Sequence, residues 1–122
     1  MPYENHNEEC WRPVAGWEQY EVSCQGRVYS HWQKRSMHPS LAGAGYLSVR
    51  LCDGPRRLRP YVHELVAEAF LGERPEGHEP NHRDGNKTNN RVSNLEWLTH
   101  SQNLKHAWAS GLFSRLTHAK AG

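Results

Sequence analysis

Residues 80–99, PNHRDGNKTNNRVSNLEWLT, decide how this chain is interpreted, because few folds need so many side-chain amides around an imidazole in so short a span. His82 directly follows Asn81, and residues 84–86, DGN, are a tight-turn signal. A small metal site that grips a phosphodiester would need such side chains. Asn is also a common turn former, so the amides taken one by one are equally consistent with a plain polar loop.

The residues that follow predict the rest of a ββα unit. Residues 95–99, LEWLT, are strand-like, and Thr99 or Ser101 can cap a helix of about ten residues. That helix carries Asn103 and His106. A hairpin folded against this helix would bring the Asn-His pair of the opening stretch to face both of these side chains.

Upstream, the pattern predicts a small antiparallel sheet and then a helix. Residues 46–51 alternate in the strand period, which places Ser48 on the outer face between inward apolar residues. Residues 62–70 carry one apolar stripe at helical spacing, and Gly72 is a natural C-terminal stop. Residues 73–80 contain two prolines and a glycine, so we expect a loop there.

Composition limits the class of protein. The 122 residues suffice for one compact domain or two small modules, and 36% of them are hydrophobic. No apolar run approaches the roughly 18 residues of a membrane span, and the acidic N-terminus lacks the pattern of a signal peptide, so we expect a cytoplasmic protein with no membrane partner. The three cysteines contain no CxxC pair, which disfavours a disulfide framework and a Cys-rich zinc site.

Positive charge is concentrated in one segment. The formal net charge is only +2, yet residues 26–59 hold seven basic side chains and one acidic one. Such a segment is a candidate surface for phosphate groups. An ordinary solvated basic face gives the same pattern, and charge alone does not separate the two interpretations.

The polar residues suit phosphodiester hydrolysis, which needs a nucleophilic water, charge relief at the phosphate and help for the departing 3′-oxygen. A neutral imidazole accepts a proton near neutral pH, which suits His82 to the first task. The side-chain oxygens of Asn81 and Asn103 suit Mg²⁺ or Mn²⁺, which could supply the other two. Asn94 is placed to lock the loop backbone by hydrogen bonds and so to hold His82.

Each of these residues also has a simpler interpretation. His82 could be an exposed bystander, and Asn103 could be a surface residue of its helix. His106 could be a metal ligand, a phosphate contact or simply exposed. His63, at the start of the first helix, is expected to be a buried, hydrogen-bonded structural histidine, or else to lie near a phosphate. Zinc is disfavoured, because no ligand pair has the compact spacing of a structural zinc site.

Taken together, four segments resemble the HNH nuclease family, in particular the phage and intron-type homing endonucleases. They are HELVAEAFLG (63–72), NHRDGNKTNN (81–90), NLEWLT (94–99) and QNLKHA (102–107). Residues 11–30, WRPVAGWEQYEVSCQGRVYS, are similar to the small DNA-binding module that often precedes such nucleases. The resemblance covers roughly residues 11–112.

The resemblance implies an α+β fold, in which a small N-terminal antiparallel β-sheet module precedes a ββα-metal (His-Me finger) nuclease core. We expect the module to occupy residues 1–56, the nuclease domain residues 57–112 and a tail residues 113–122. The implied activity is that of a metal-dependent endonuclease acting on double-stranded DNA as a monomer or weak homodimer. A phage-encoded protein that works in the host cell is implied. A DNA-binding protein that keeps the fold without the activity is the alternative.

The resemblance also assigns roles to the site residues. His82 falls on the general base, and Asn81 and Asn103 fall on the ligands of one divalent metal ion, Mg²⁺ or Mn²⁺. Asn94 falls on the structural brace, and His106 becomes an auxiliary group near the phosphate. The implied DNA contacts are the following residues, most of them in the N-terminal sheet and the basic segment: Arg27, Tyr29, Ser30, Arg50, Arg56, Arg57, Arg59 and Lys87.

Overall fold

A computed structural model describes the backbone of residues 9–109 and the side chains of residues 9–105. In chain order the elements are β1 Trp11–Val14, β2 Trp17–Ser23, β3 Val28–Ser30, β4 Arg35–Ser36, β5 Ser40–Leu41, β6 Leu47–Ser48, β7 Leu51–Asp53, β8 Arg56–Leu58, α1 Val62–Phe70, β9 His78–His82, a 3-10 helix Val92–Asn94, β10 Leu95–Thr99 and α2 His100–Ala109. Strands β1 to β4 form one antiparallel sheet, and the other strands pair as β5–β6, β7–β8 and β9–β10. The predicted α+β class is confirmed.

The four-stranded sheet buries one face because its apolar residues alternate with polar ones. Tyr20 and Val22 of β2 and Val28 of β3 are buried, whereas Glu21 points away from the core. The register sets Val22 directly opposite Val28, so these two side chains share the inward face. They pack into the same core as the apolar side of α1.

The strand predicted over residues 46–51 is broken in two. Residues Leu47–Ser48 pair with β5, and Leu51–Asp53 pair with β8, so the chain changes partner between them. The Val49 amide donates instead to the carbonyl of Pro60. This break disturbs the strand period, and Ser48 is buried with Val49 rather than facing outward. The prediction for Ser48 was therefore wrong.

Helix α1 matches its predicted stripe and end. Val62, Val66 and Phe70 are buried, and Gly72 follows the helix with a φ of +91°, a conformation that glycine adopts readily. The Arg12 guanidinium of β1 donates to the Ala69 carbonyl at 2.8 Å and lies over the Phe70 ring. These contacts attach the N-terminal sheet to the helix.

The C-terminal part is the predicted strand, loop, strand and helix, although β9 begins earlier than expected. Residues 78–80 belong to this strand and are paired with β10, so the predicted loop is shorter than residues 73–80. Thr99 and Gln102 cap α2 reciprocally, each side chain accepting from the other's backbone amide. Neither α1 nor the described length of α2 is long and apolar enough to cross a bilayer.

The two halves of the chain meet where the β2–β3 turn contacts the loop between β9 and β10. The Val92 amide donates to the Cys24 carbonyl at 2.8 Å. Gly26 has a φ of +88°, and a Cβ atom at this position would lie only 2.9 Å from the Cβ of Asn90. Glycine is therefore required there both by its backbone conformation and by the close approach of the loop.

Candidate active site

The β9–β10 ribbon presents a different face to each helix. Antiparallel pairing sets Asn81 opposite Glu96 and His82 opposite Leu95. Because successive side chains of a strand alternate, these two pairs lie on opposite faces of the ribbon. His82 contacts α1, whereas Glu79, which shares the face of Asn81, contacts α2. The side chains of His82, the predicted base, and Asn81, the predicted ligand, therefore leave the ribbon on opposite faces.

His82, at the end of β9, is buried and held on three sides. Only 6% of its surface is exposed. Its ring lies 4.9 Å from that of His63 and is stacked with Tyr46 at 5.9 Å, between ring centres. Its Nε2 is 2.7 Å from Oδ1 of Asn90. His82 is thus a fixed, enclosed imidazole and not an exposed side chain of a loop.

This contact also decides which nitrogen can act as a base. An amide oxygen only accepts hydrogen bonds, so His82 Nε2 carries the proton and donates to Asn90. The lone pair of Nδ1 then remains for a proton taken from another group. Burial lowers the pKa of His82, opposed by the hydrogen bond to Asn90 and the charge of Asp84. The imidazole is therefore neutral at physiological pH, as a general base requires.

His63 forms the wall behind His82. It is buried on α1, stacked with Tyr61 at 5.4 Å and 4.8 Å from the Tyr46 ring. Burial, followed by the proximity of His82 and Arg74, lowers the pKa of His63 to about 4. The predicted burial is confirmed, whereas its buried Nδ1 has no hydrogen-bond partner among the described residues. His63 thus stays uncharged and places no cation against His82.

Asn94 fixes the loop between the strands. Its side-chain oxygen accepts from the Asp84 amide at 3.1 Å, and its Nδ2 donates to the Asp84 carboxylate and the Asn89 carbonyl at 2.9 Å each. The Asn89 side chain also donates to Asp84, and such hydrogen bonds lower the pKa of that carboxyl. Asn94 therefore holds the loop that follows His82. Its side-chain hydrogen bonds are to Asp84 and Asn89, so any effect on His82 is indirect.

Asn90 holds the His82 ring directly, and the sequence did not single it out. It stands eight residues after His82, in a run where every Asn is a possible turn former. Its selection depends on the β2–β3 turn, which presses on it from the other half of the chain. No local pattern predicts such a contact, because it is set by the packing of distant segments.

The two predicted metal ligands each donate to a carboxylate. Asn81 Nδ2 lies 3.0 Å from Oε2 of Glu96, and Asn103 Nδ2 is hydrogen-bonded to Oε1 of Glu79. Both amide groups are thereby turned so that nitrogen meets a glutamate and oxygen is left for another partner. The side chain of His106 lies outside the described residues.

The acidic and imidazole side chains do not form a metal cage by themselves. Within residues 9–105, no three His, Cys, Asp or Glu side chains are grouped closely enough to hold an ion. Amide oxygens are hard donors that suit Mg²⁺ and Mn²⁺. The amide oxygens of Asn81 and Asn103 are therefore candidate donors at this ribbon, and their role as metal ligands stays a prediction.

Two families match this chain, and their ranges follow its two halves. Residues 60–105 match the family described as HNH endonuclease, which covers α1, the ribbon and the start of α2. Residues 9–52 match the NUMOD4 motif, which covers the N-terminal sheet. The chain belongs to the HNH endonuclease family. The HNH match contains the whole arrangement around His82 except for Tyr46, which comes from the NUMOD4 half.

Known HNH proteins of phage origin resemble this chain. The SPbeta prophage-derived putative HNH homing endonuclease YosQ of Bacillus subtilis is 51% identical over 90 residues, which are 73% of this chain and 52% of YosQ. The DNA endonuclease I-HmuI of Bacillus phage SP01 is 34% identical over 102 residues, which are 83% of this chain and 59% of I-HmuI.

A solved HNH structure confirms the fold. The structure titled "DNA binding and cleavage by the HNH homing endonuclease I-HmuI" superposes with a TM-score of 0.78 and 33% identity, covering 91% of this chain and 66% of the other. The chain spans between about a fifth and three fifths of the length of the curated relatives it matches. The expected HNH-type α+β fold is therefore confirmed.

Two of the predicted DNA contacts in the NUMOD4 half have other partners. Ser30 is completely buried, and its hydroxyl accepts from the Gln33 amide at 3.0 Å, so it cannot face DNA and its prediction was wrong. Arg27 is exposed, but its guanidinium is paired with Glu9. A phosphate would have to compete with this carboxylate for Arg27.

One of the three arginines just before the HNH match also has partners within the chain. Arg56 donates to the Gly16 carbonyl and to Asp53 at 2.9 Å each, and lies 3.9 Å from the centre of the Trp17 ring. Arg56 is thus a structural link as well as a basic residue. The remaining predicted contacts include three exposed arginines, one partly buried tyrosine and a lysine near the His82 pocket, and they stay predictions: Arg50, Arg57, Arg59, Tyr29 and Lys87.

Proposed function

We propose that this protein is a metal-dependent endonuclease that hydrolyses phosphodiester bonds in duplex DNA, with His82 as the general base. The observation that carries the proposal is the buried, neutral His82, whose Nε2 is hydrogen-bonded to Asn90 Oδ1, which leaves Nδ1 as the basic nitrogen of the ring. The likeness to I-HmuI, whose structure is described as binding and cleaving DNA, supports the same substrate class.

In the proposed reaction His82 accepts a proton from water as the oxygen attacks phosphorus. Asn90 keeps the ring in the tautomer that leaves Nδ1 unprotonated, and Tyr46 and His63 prevent the ring from turning. His63 is uncharged at neutral pH because its pKa is about 4. Because His63 is uncharged, it does not repel the positive charge that His82 gains when it accepts the proton.

The metal would be held by Asn81 and Asn103, whose amide oxygens fit Mg²⁺ or Mn²⁺ in donor type. When bound, such an ion supplies Lewis-acid polarisation of the phosphate and stabilises the departing 3′-oxygen. Glu96 and Glu79 orient the two amides by accepting hydrogen bonds from their Nδ2 atoms. His106, on the following turn of α2 from Asn103, is proposed as the auxiliary group near the phosphate.

DNA would lie across both halves of the chain. We propose the NUMOD4-containing module, residues 1–56, as the part that positions the duplex, and residues 57–112 as the nuclease domain, with residues 113–122 as a tail. Lys87 connects the two, because its ammonium donates to the Ala44 carbonyl at 3.0 Å and lies over the Tyr46 ring. A cation at this junction suits a phosphate that approaches His82.

One observation favours a second candidate function, DNA binding without cleavage. Asn81 and Asn103 are both amides, so the proposed ligand pair carries no charge of its own. A neutral ligand pair binds a divalent ion more weakly than one that includes a carboxylate. A protein that kept its DNA-binding surface and no longer bound the ion could have such a neutral pair at this site.

The two functions differ in one assay. Supercoiled plasmid is incubated with the protein in Mg²⁺, in Mn²⁺ and in EDTA, and the conversion to open circle is followed on a gel. A monomer with one such site is expected to nick, and to do so only with a metal ion, leaving 5′-phosphate and 3′-hydroxyl ends. Retarded plasmid that stays supercoiled at saturating protein with either ion would establish DNA binding alone.

The proposed function also has an oligomeric state and a cellular setting. We propose a monomer or a weak homodimer, encoded by a phage and acting in the cytoplasm of its host. The phage and prophage origins of I-HmuI and YosQ support this setting. Analytical ultracentrifugation with and without a duplex oligonucleotide measures the assembly.

A further inference from the structure

We propose that Glu79 and Glu96 supply the negative charge of the metal site and orient its two amide ligands. This inference rests on the proposed function, since it concerns the divalent ion that Asn81 and Asn103 would hold. The proposed ligand pair lacks negative charge. Two amides carry no net charge, whereas Mg²⁺ and Mn²⁺ sites in proteins normally include at least one carboxylate.

Glu96 is bound to Asn81 across the ribbon. The register sets the two residues directly opposite each other, so both side chains leave the same face. Asn81 Nδ2 donates to Glu96 Oε2 at 3.0 Å, and Asn81 is itself buried. The other oxygen of Glu96 lies 3.8 Å from the Arg83 guanidinium. The carboxylate thus keeps one oxygen on the amide ligand and the other near the Arg83 guanidinium.

Glu79 performs the same task for Asn103. It precedes Asn81 by two residues on β9 and so projects from the same face. Its Oε1 accepts from Asn103 Nδ2 on α2 and lies 3.7 Å from His100 Nδ1. This hydrogen bond spans from the ribbon to the helix, which fixes the distance between the elements that carry the two amide ligands.

The polarity of an amide explains why these contacts matter. Each Asn side chain has one oxygen and one nitrogen, and only the oxygen can bind a hard cation. A carboxylate on the nitrogen therefore turns the oxygen outward for the ion and polarises the amide, which makes its oxygen a better donor. Two glutamates doing this also place two negative charges beside a site whose ligands have none.

The test measures metal binding without DNA, so that it does not depend on cleavage. Titration calorimetry with MnCl₂ compares the wild-type chain with Glu79→Gln and Glu96→Gln. Glutamine still accepts a hydrogen bond from the Asn amide, so these variants remove the charge and preserve the contact. We expect each to weaken Mn²⁺ binding by about tenfold to a hundredfold, the usual effect of losing an outer partner of a metal ligand.

Two further variants make the result specific. Glu68→Gln removes the same charge from an exposed position of α1 and is expected to bind Mn²⁺ as the wild type does. Asn81→Asp combined with Glu96→Gln returns the lost charge to the same face, and we expect it to restore affinity to within a few-fold of wild type. Circular dichroism and urea unfolding confirm that each variant is folded before titration.

The outcomes separate this inference from the proposed function. Unchanged Mn²⁺ affinity in both glutamate variants, with a wild type that binds Mn²⁺ and nicks plasmid, overturns the inference and leaves the nuclease intact. Weakened binding in both variants supports the inference even where plasmid stays uncut. A wild type that neither binds Mn²⁺ nor nicks DNA overturns both.

Discussion

Acidification should destabilise this protein through His63, and the size of the effect follows from its surroundings. The imidazole is 5% exposed, and its buried Nδ1 has no partner among the described residues, so a charge there is poorly solvated. Its pKa in the folded chain is lowered from 6.5 to about 4. The unfolded chain therefore binds a proton at a higher pH than the folded chain does.

The loss of stability falls between the two pKa values of His63, which are 6.5 in the unfolded chain and about 4 in the folded chain. Well above pH 6.5 His63 is unprotonated in both states, and the fold has its full stability. Between pH 6.5 and about 4 only the unfolded state gains the proton, so stability falls as pH falls. At 1.36 kcal/mol for each unit of pKa difference, the complete loss is about 3 kcal/mol, and most of it is reached by pH 4.5.

Urea unfolding followed by tryptophan fluorescence, at several values between pH 7.5 and 4.5, measures this loss. His63→Leu replaces the ring by an uncharged side chain, so its stability should fall less steeply with pH than that of the wild type. His38→Leu replaces an exposed histidine and is the matched control. Parallel curves for wild type and His63→Leu would refute the claim that His63 is held neutral by burial.

Three further experiments test the positioning of His82, the packing of its loop and the predicted DNA contacts. Asn90→Ala removes the oxygen that accepts the hydrogen bond from His82 Nε2, so it should lower the nicking rate about tenfold with little change in DNA affinity. The plasmid assay measures the rate, and a gel shift measures the affinity. Gly26→Ala strains a backbone at φ +88° and crowds the same loop, so it should cost about 1–3 kcal/mol in urea unfolding, whereas Gly43→Ala, with open space around it, should cost little. Replacing Arg57 and Arg59 by alanine should reduce the slope of log affinity against log salt by about two, and an unchanged slope would remove both from the DNA contacts.

Local patterns were enough to predict the elements that carry the site. The helical stripe from Val62 to Phe70, the strand-like LEWLT and the Thr99 cap depend on residues close in sequence, and each was found within a few positions of its expected bounds. The fold class and the family followed from these elements and from the quoted motifs. Burial of His82 was consistent with the predicted role but was not itself predictable from a polar loop.

Contacts between distant segments could not be predicted. Ser48 looks outward-facing by alternation, but the chain switches sheet partner near it. Ser30 shares a strand face with the buried Val28, so its burial agrees with alternation and contradicts only the DNA contact that the resemblance implied. Asn90 is selected from a run of asparagines only because the β2–β3 turn packs against its loop. Tyr46 stacks on His82 across more than thirty residues of sequence, a relation that no local window contains.

The proposed function requires His82 to act on the water that attacks the phosphate, and a single reaction rate tests this role. The single-turnover rate of plasmid nicking is measured for wild type and His82→Ala at protein concentrations that saturate the DNA, so that binding does not limit either value. We predict a rate between about a hundredfold and ten-thousandfold lower for His82→Ala, with the fold and the DNA affinity retained. Equal rates for the two proteins would contradict it.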